Sequence, residues 1–329
     1  MSWVIPISLA YVPAVLIGFM AFTLITLRYR VPSLDPPSGP WPEGAWPPVT
    51  VVIAARDEES AIGPTLERIA DLSYDGPLTA ILADNGSTDR TAEVAEETAR
   101  RRGLKLRRSF EPAAGKWRAL NRALESVETT IVVTVDADTL LHPEALKYLV
   151  CRLMREPGGQ HVCACAGALV VQSPTRNLLT RMQSWDYRLG INGMRQRSRW
   201  AQGMLEGLLR NPPAAQPRVL AGFVSALDYL VPLLDFGYVF FWVPGVVLFI
   251  AGYPLLVSWW SMLVLPITLV IYGLLRRWQE RHVFRRLGFQ PRHDALGFLG
   301  YLFGYRALTS PAALRGYLEY LAGAPRRWK

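Results

Sequence analysis

Three short acidic segments in the first half of the chain hold side chains that could bind a metal ion and a phosphate group. They are residues 56–59 (RDEE), 84–89 (DNGSTD) and 136–138 (DAD), and each directly follows a short apolar run. Carboxylates crowded together repel one another unless a cation joins them, and a divalent metal with a phosphate ligand removes that repulsion. A single segment would be explained by helix caps and turns, which Asp, Asn, Ser and Gly favour. Three segments at equivalent positions favour a binding site.

The elements that must position these segments alternate between strands and helices. Short apolar runs predict strands at 49–55, 78–83, 104–108, 130–135 and 162–171. Helices are expected at 59–72, 88–102 and 116–126, with another after His142-Pro143. This alternation predicts an α/β fold with a doubly wound, mostly parallel sheet. Ligands of such sheets bind at the carboxyl ends of the strands, so the acidic segments are expected at one edge.

Two details refine the expected site. Asp136 and Asp138 would point to opposite faces if the strand continued through them, so only one is expected to touch a metal directly. Gly115-Lys116 opens a predicted helix, but a nucleotide-binding phosphate loop would need glycine where Phe110 stands. Lys116 could still contact a phosphate at the helix start.

At this point the motifs resemble those of family 2 glycosyltransferases. The matching segments are VVIAARDEE (51–59), ILADNGSTDRT (81–91), GKWRALNRAL (115–124), VTVDADT (133–139) and QRSRW (196–200). The resemblance covers about residues 49–203 and is greatest to the membrane-anchored or processive group of poly-N-acetylglucosamine, hyaluronan and cellulose synthases. It implies a GT-A-like domain at 49–210 that binds a UDP-sugar.

The resemblance also implies roles for individual residues. Glu58 and Asp84 match positions that hold the uracil and ribose, and Lys116 lies in a block that faces the nucleotide. Asp136 and Asp138 match the Asp-x-Asp pair, with Asp138 as the expected Mg²⁺ or Mn²⁺ ligand and Asp136 beside it.

Gln196, Arg199 and Trp200 match a Gln-x-x-Arg-Trp motif at the acceptor entrance, near the diphosphate. Arg199 could neutralise a departing diphosphate, and Trp200 could stack on a sugar face. The alternative for an isolated Arg-Trp pair is an anchor at the membrane interface.

One part of the family pattern is missing. The family carries a Thr-Glu-Asp motif between the Asp-x-Asp and Gln-x-x-Arg-Trp motifs, and its Asp is the general base. Here the eight residues between Tyr187 and Gln196 contain no carboxylate, which predicts an internal deletion. General-base catalysis typically contributes roughly 10²–10⁴-fold, so transfer is expected to be impaired. Asp186 could substitute for the missing base, but it matches a position where the family usually has a structural Glu-Tyr pair.

Two uncharged stretches predict membrane spans. Residues 1–27 have no charged side chain, so 1–30 is expected to be an N-terminal anchor followed by a proline-rich linker at 31–48. A cleaved signal peptide is the alternative. Arg28 and Arg30 then place the next domain in the cytoplasm. The second stretch predicts spans at about 236–256 and 258–275 within a membrane region at 211–329.

Excess positive charge follows those spans. The chain carries 36 Lys and Arg against 27 Asp and Glu, a net charge of +9, and residues 276–329 hold 11 of the former and 3 of the latter. Charge beside membrane spans favours anionic lipids over nucleic acid as the partner. Residues 298–311 are expected to form an interfacial or re-entrant helix, or a third C-terminal span. Asp228 and Asp235 favour a solvated interfacial helix, with a membrane-entrance site as the alternative.

The cysteine residues add little to the functional prediction. The chain has three cysteines, too few for a disulfide scaffold, which favours a reducing compartment. The spacing of His161, Cys163 and Cys165 is explained by alternation on a strand better than by a metal site.

Together these features predict a multi-pass protein of the inner or plasma membrane with a cytoplasmic catalytic domain. It would transfer sugar from a UDP-sugar such as UDP-GlcNAc to a glycan or lipid acceptor, for an envelope polysaccharide or a glycolipid. Membrane lipids and partner synthase subunits are the other expected partners, and nucleic acid is not. The alternative is an inactive protein that binds nucleotide-sugar or a partner synthase.

Overall fold

The computed structural model describes residues 46–154, 164–167, 177–189, 194–210, 212, 229–253, 264–281 and 294–323. These residues fall into two compact units. The sheet unit is the described part of Pro36–Ala168, and the helical unit is the described part of Leu169–Arg326. The predicted anchor at 1–30 and the linker up to residue 45 lie outside the described residues.

The sheet unit contains a four-stranded, wholly parallel sheet. Its strands are β1 (Val49–Ala55), β2 (Leu78–Asp84), β3 (Leu106–Phe110) and β4 (Ile131–Asp136), in the order β3-β2-β1-β4. The predicted parallel α/β sheet is confirmed. β3 begins two residues later than predicted, because Gly103 (φ 65°) ends the preceding helix and the Leu104 amide bonds back to the Ala99 carbonyl.

Helices cover both faces of this sheet. They are α1 (Ile62–Ala70), α2 (Thr91–Arg102), α3 (Lys116–Leu124) and α4 (Ala145–Met154). Alternate residues of β1 enter two different cores: Val51 and Ile53 pack with Leu66 of α1, whereas Val52 packs with Ala119 of α3. β1 is therefore buried on both sides, as its apolar sequence predicts.

The predicted fifth strand, at 162–171, is wrong where the structure describes it. Residues 164–167 are exposed and have no strand pairing, and the rest of the segment lies outside the described residues. Their sequence, Ala-Cys-Ala-Gly, offers little apolar side-chain area to bury against a sheet. The thiol of Cys165 donates to the Leu149 carbonyl at 3.3 Å instead.

The helical unit is built from the remaining helices. They are α5 (Leu178–Leu189), α6 (Met194–Arg210), α7 (Leu230–Gly237), α8 (Val243–Ile250), α9 (Val264–Gln279), α10 (Ala295–Gly300) and α11 (Arg306–Leu321). Turns of π-helix at Tyr238–Trp242 and Tyr301–Tyr305 join α7 to α8 and α10 to α11. Pro244 has no amide hydrogen for the helix ladder, which accounts for the irregular turn before it.

Among the described residues, one helix is long and apolar enough to cross a membrane. It runs over Val231–Ile250 with a mean hydropathy of 2.0. The first predicted C-terminal span, 236–256, is therefore shifted toward the N-terminus. The second, 258–275, overlaps α9, which has 16 described residues and continues to Gln279. The described residues thus support one candidate span and not a multi-pass arrangement.

The expectation of a solvated Asp235 is wrong. Its exposed fraction is 2%, because side chains of α11 surround and hydrogen-bond its carboxylate. The segment 298–311, which includes the start of α11, packs within the helical unit: Tyr305, Thr309 and Ser310 are buried. Asp228 lies outside the described residues.

Candidate functional site

The carboxyl edge of the sheet gathers the three acidic segments. In the strand register, Asp84 at the end of β2 pairs with Ala55, and Asp136 at the end of β4 pairs with Ala54. The two aspartates therefore flank the end of β1, from which residues 56–59 continue. The predicted convergence of these segments is confirmed as geometry.

The loops after β1 and β2 are interlocked around Asp57. The Asp57 carboxylate accepts hydrogen bonds from the Thr88 amide at 2.7 Å and the Thr88 hydroxyl at 3.1 Å, and the Asp57 amide donates to Ser87 Oγ at 3.2 Å. These contacts hold Asp57 in the left-handed backbone region, with φ 52°. The Thr88 amide lowers the pKa of the Asp57 carboxyl, since its hydrogen bond favours the charged form.

A second set of hydrogen bonds extends this interlock to Glu58 and Glu59. The Glu58 amide donates to Thr91 Oγ1 at 2.8 Å, and the Glu59 amide donates to Asp89 Oδ2 at 3.1 Å. Burial alone would raise the pKa of Asp89, but hydrogen bonds from Thr91 and Glu59 outweigh it and lower that pKa. α1 begins three residues later than predicted, because the Ala61 amide donates to the Glu58 carbonyl at 3.0 Å in a turn that precedes the helix. Glu58 itself is half-buried beside the site.

Asp84 is fully buried, and its partners were not all foreseen. Its Oδ1 accepts from the Ser87 amide at 2.9 Å, and its Oδ2 accepts from Arg108 Nε at 3.1 Å and Nη2 at 2.6 Å. Sequence analysis missed Arg108, which lies on β3 two residues before Phe110, the strand partner of Asp84. The sequence feature that could have identified Arg108 is its position, because it is a basic residue near the end of a strand whose neighbours end in acidic segments.

Asn85 was also missed, although it organises the next loop. It is 1% exposed, and its Nδ2 donates to the carbonyls of Glu111 at 3.1 Å and Ala113 at 2.7 Å. Its Oδ1 accepts from the Gly115 amide at 2.7 Å. Gly115 has a φ of 146°, which a side chain would strain, so the loop leading into α3 depends on this glycine.

Lys116, the first residue of α3, forms an ion pair with Asp136. The two side chains are 45% and 56% exposed, so the pair is open to solvent and to a ligand. β4 ends at Asp136, and the Thr139 amide bonds to the Asp136 carbonyl at 3.0 Å as the chain turns. Asp138 is exposed too, whereas Ala137 between them is buried and accepts a 2.7 Å hydrogen bond from Thr65.

Asp136 and Asp138 are the two carboxylates that could hold a metal sharing its coordination with a ligand. The described residues contain no group of three or more metal-ligating side chains. Magnesium-type ions are commonly held by one or two carboxylates together with substrate phosphates and water. Two exposed carboxylates supply that number of protein ligands, provided that Lys116 leaves Asp136.

The other predicted site residues belong to the helical unit. Gln196, Arg199 and Trp200 lie on α6, and Asp186 lies on α5, but their side chains are outside the described set. Their roles stay predictions.

Comparisons with known proteins find similarity in the part of the chain that contains this sheet edge. Residues 47–202 match the family described as glycosyltransferase like family 2. The chain is 30% identical over 159 residues to a beta-monoglucosyldiacylglycerol synthase of Nostoc sp., covering 47% of this chain and 33% of that protein. It is 31% identical over 172 residues to an N-acetylglucosaminyltransferase of Mesorhizobium japonicum, covering 51% and 38%. The chain thus spans about a third of the length of these relatives.

A solved structure extends the likeness in fold. The mannosyltransferase PcManGT from Pyrobaculum calidifontis, in complex with GDP-Man and Mn²⁺, aligns with 96% of this chain and 100% of its own. The TM-score is 0.50 at 16% sequence identity, which shows the fold alone. The family match and the relatives' names together support a glycosyltransferase family 2 domain at residues 47–202, just under half of the chain.

Proposed function

We propose that this protein is a glycosyltransferase that uses a UDP-sugar and a divalent metal. The observation that carries the proposal is the meeting of Asp136, Lys116 and the Asp57–Thr88 interlock at one edge of the parallel sheet. Relatives named beta-monoglucosyldiacylglycerol synthase and N-acetylglucosaminyltransferase support the reaction class, and UDP-GlcNAc is one candidate donor.

The donor would lie across the strand ends. Glu58 would face the base, because it is half-buried beside the interlocked loops. Asp84 is buried against Arg108, so we propose that it acts on the ribose side by shaping the loop that starts at Asn85. Lys116 would leave Asp136 and pair with the diphosphate, to which an ammonium is a suitable counter-ion.

Asp136 and Asp138 would hold Mg²⁺ or Mn²⁺, with Asp138 as the principal ligand. When bound, the metal would neutralise charge on the diphosphate of the leaving UDP. Arg199 on α6 is the candidate for additional stabilisation of that charge. These roles follow the family resemblance and are proposals for this chain.

We propose that the transfer step is slow. No carboxylate lies in residues 188–195, where the resemblance leads us to expect the segment that carries the general base. Losing general-base help would cost roughly 10²–10⁴-fold in rate. The second candidate function, donor binding without transfer, is favoured by the same observation.

We propose a lipid or glycan acceptor at a membrane. The apolar helix Val231–Ile250 supports membrane association, and the relative named as a diacylglycerol glucosyl synthase supports a lipid acceptor. An envelope polysaccharide or glycolipid would be the product.

The test uses the purified full chain, Mn²⁺, and radiolabelled UDP-glucose or UDP-GlcNAc with diacylglycerol vesicles or glycan acceptors. We expect slow, metal-dependent UDP release that Asp138→Asn abolishes and Asp75→Asn, at an exposed loop carboxylate, leaves unchanged. Binding without any release would favour the second candidate. Neither binding nor release with any donor would refute both.

A further inference from the structure

The helical unit buries a carboxylate that the proposed chemistry does not use. Asp235 lies in the apolar helix Val231–Ile250 and is 2% exposed. Its Oδ1 accepts hydrogen bonds from Ser310 Oγ at 2.6 Å and Arg306 Nη1 at 3.2 Å, and its Oδ2 accepts from Tyr317 Oη at 3.0 Å. A buried carboxylate is tolerated only with such pairing, and an ionisable residue in an apolar helix commonly marks a functional position.

All three donors come from one helix, α11. Their spacing, at 306, 310 and 317, places them along one face, four and then seven residues apart. A slip of α11 by one turn would move every donor by about 5.4 Å and would break all three hydrogen bonds. Asp235 therefore fixes the position of α11 along its own axis relative to α7.

The same helix packs against α6. The buried cluster at this contact is formed by Ala201 of α6 with Ala313 and Tyr317 of α11, and Met204, Leu205 and Leu314 pack around it. Tyr317 thus belongs to two contacts: its ring packs against α6, and its hydroxyl donates to Asp235. Ala201 directly follows Trp200, the last residue of the Gln-x-x-Arg-Trp motif.

We propose that Asp235, acting through Tyr317, is a positioning residue for the motif segment at 196–200 of α6. The apolar helix would in this way set the placement of Gln196, Arg199 and Trp200. This inference rests on the proposed function only in assigning that segment to sugar transfer.

Amide hydrogen exchange on peptides that cover 194–210, in the full chain in nanodiscs, tests the coupling. We expect Asp235→Asn and Tyr317→Phe to raise exchange in α6 by roughly threefold, the scale of one ordinary hydrogen bond. Tyr317→Phe keeps the ring, so the helix contact itself survives. The matched control, Ser310→Ala, also removes a hydrogen bond to Asp235, but Ser310 is not part of the α6 contact.

The pattern among these variants decides the proposal. It is supported if α6 exchange rises clearly more in Tyr317→Phe than in Ser310→Ala. It is overturned if the two variants raise α6 exchange equally, which a general loosening of the helices would do, or if neither raises it.

Kinetics separates this inference from the proposed function. If the wild-type chain transfers sugar, Tyr317→Phe should lower kcat by roughly threefold and leave the KM for the donor unchanged. A raised KM with unchanged kcat would contradict the positioning role. If the wild-type chain transfers no sugar, the proposed transferase activity fails, and the exchange pattern still decides the coupling.

Discussion

Asp84 in the sheet unit and Asp235 in the helical unit are the buried carboxylates of the described residues, and they are held differently. Asp84 receives hydrogen bonds from the Ser87 amide in its own loop and from Arg108 on the neighbouring strand. Asp235 receives hydrogen bonds from three side chains of α11, which lie 71, 75 and 82 residues further along the chain.

The two carboxylates stabilise different parts of the structure. Asp84 holds a loop at an open sheet edge, where Asp136 and Lys116 remain accessible to a ligand. Asp235 is enclosed by helices and so sets how one helix lies along another. Buried polar groups thus hold a loop at the sheet edge in the first unit and fix a helix position in the second.

Removing Arg108 should give the largest effect. Arg108→Ala would leave the fully buried Asp84 without its counter-charge and is expected to destabilise the sheet unit by about 3 kcal/mol. Denaturant unfolding monitored by circular dichroism would measure the change. The neighbouring Arg107→Ala is the control, because its partner Glu128 is 79% exposed and such pairs contribute less than about 1 kcal/mol. Equal effects of the two variants would show that burial of Asp84 does not matter.

Asn85→Ala should have the next largest effect. It removes three hydrogen bonds to the loop before α3 and is expected to cost about 2 kcal/mol of unfolding free energy. The same unfolding measurement on Asn121→Ala, an exposed position on α3, should show almost no change. An unchanged midpoint for Asn85→Ala would mean that the loop is held by other contacts.

Lys116→Met should separate metal binding from nucleotide binding. Without the ammonium, Asp136 loses its ion-pair partner, so Mn²⁺ alone should bind roughly threefold more tightly, the scale of an exposed ion pair. UDP should bind more weakly, because the diphosphate loses a cation. Electron paramagnetic resonance of Mn²⁺ and calorimetry of UDP measure the two affinities, with Lys105→Met as an exposed control. Changes of both affinities in the same direction would contradict the proposed exchange of partners.

The smallest expected effect is a pH dependence at Asp57. The Thr88 amide lowers the folded-state pKa of Asp57 below its ordinary value of 3.8. Its charged form therefore adds stability above about pH 3.8, and this is lost as the pH falls through the lowered value. The unfolding midpoint should change less between pH 2 and pH 5 in Asp57→Asn than in wild type. Asp75→Asn is the control, and a wild-type-like pH profile for Asp57→Asn would refute the prediction.

The sheet was predictable because its information is local. β1 is continuously apolar and was placed at its observed bounds, and β2 and β4 were placed within one residue at each end. The predicted element boundaries that differ from the structure depend on contacts that the apolar pattern of the strands does not show. β3 starts late because Gly103 and Leu104 complete the end of α2, and α1 starts late because a turn from Glu58 to Ala61 precedes it.

The helical unit was less predictable because its polar contacts join distant segments. Asp235 was predicted to be solvated, and the predicted span began after it because the uncharged stretch begins at Phe236. Its donors lie on α11, and with the charge satisfied the helix continues through Asp235. In the site, motif residues such as Asp136 and Lys116 were identified from sequence. Arg108 and Asn85 were missed because their roles depend on strand order and loop contacts.

The central claim is that the carboxyl edge of the sheet binds a nucleotide diphosphate together with a divalent metal. Calorimetric titration of UDP into the full chain, with Mn²⁺ and then with EDTA, tests it most directly. We predict that UDP binds in the presence of Mn²⁺. The affinity should fall by roughly tenfold or more, about 1.4 kcal/mol, when EDTA is added or when Asp138 is replaced by Asn. The Asp75→Asn variant should bind UDP as the wild type does. UDP binding of equal strength with and without metal, or no binding under either condition, would contradict the account.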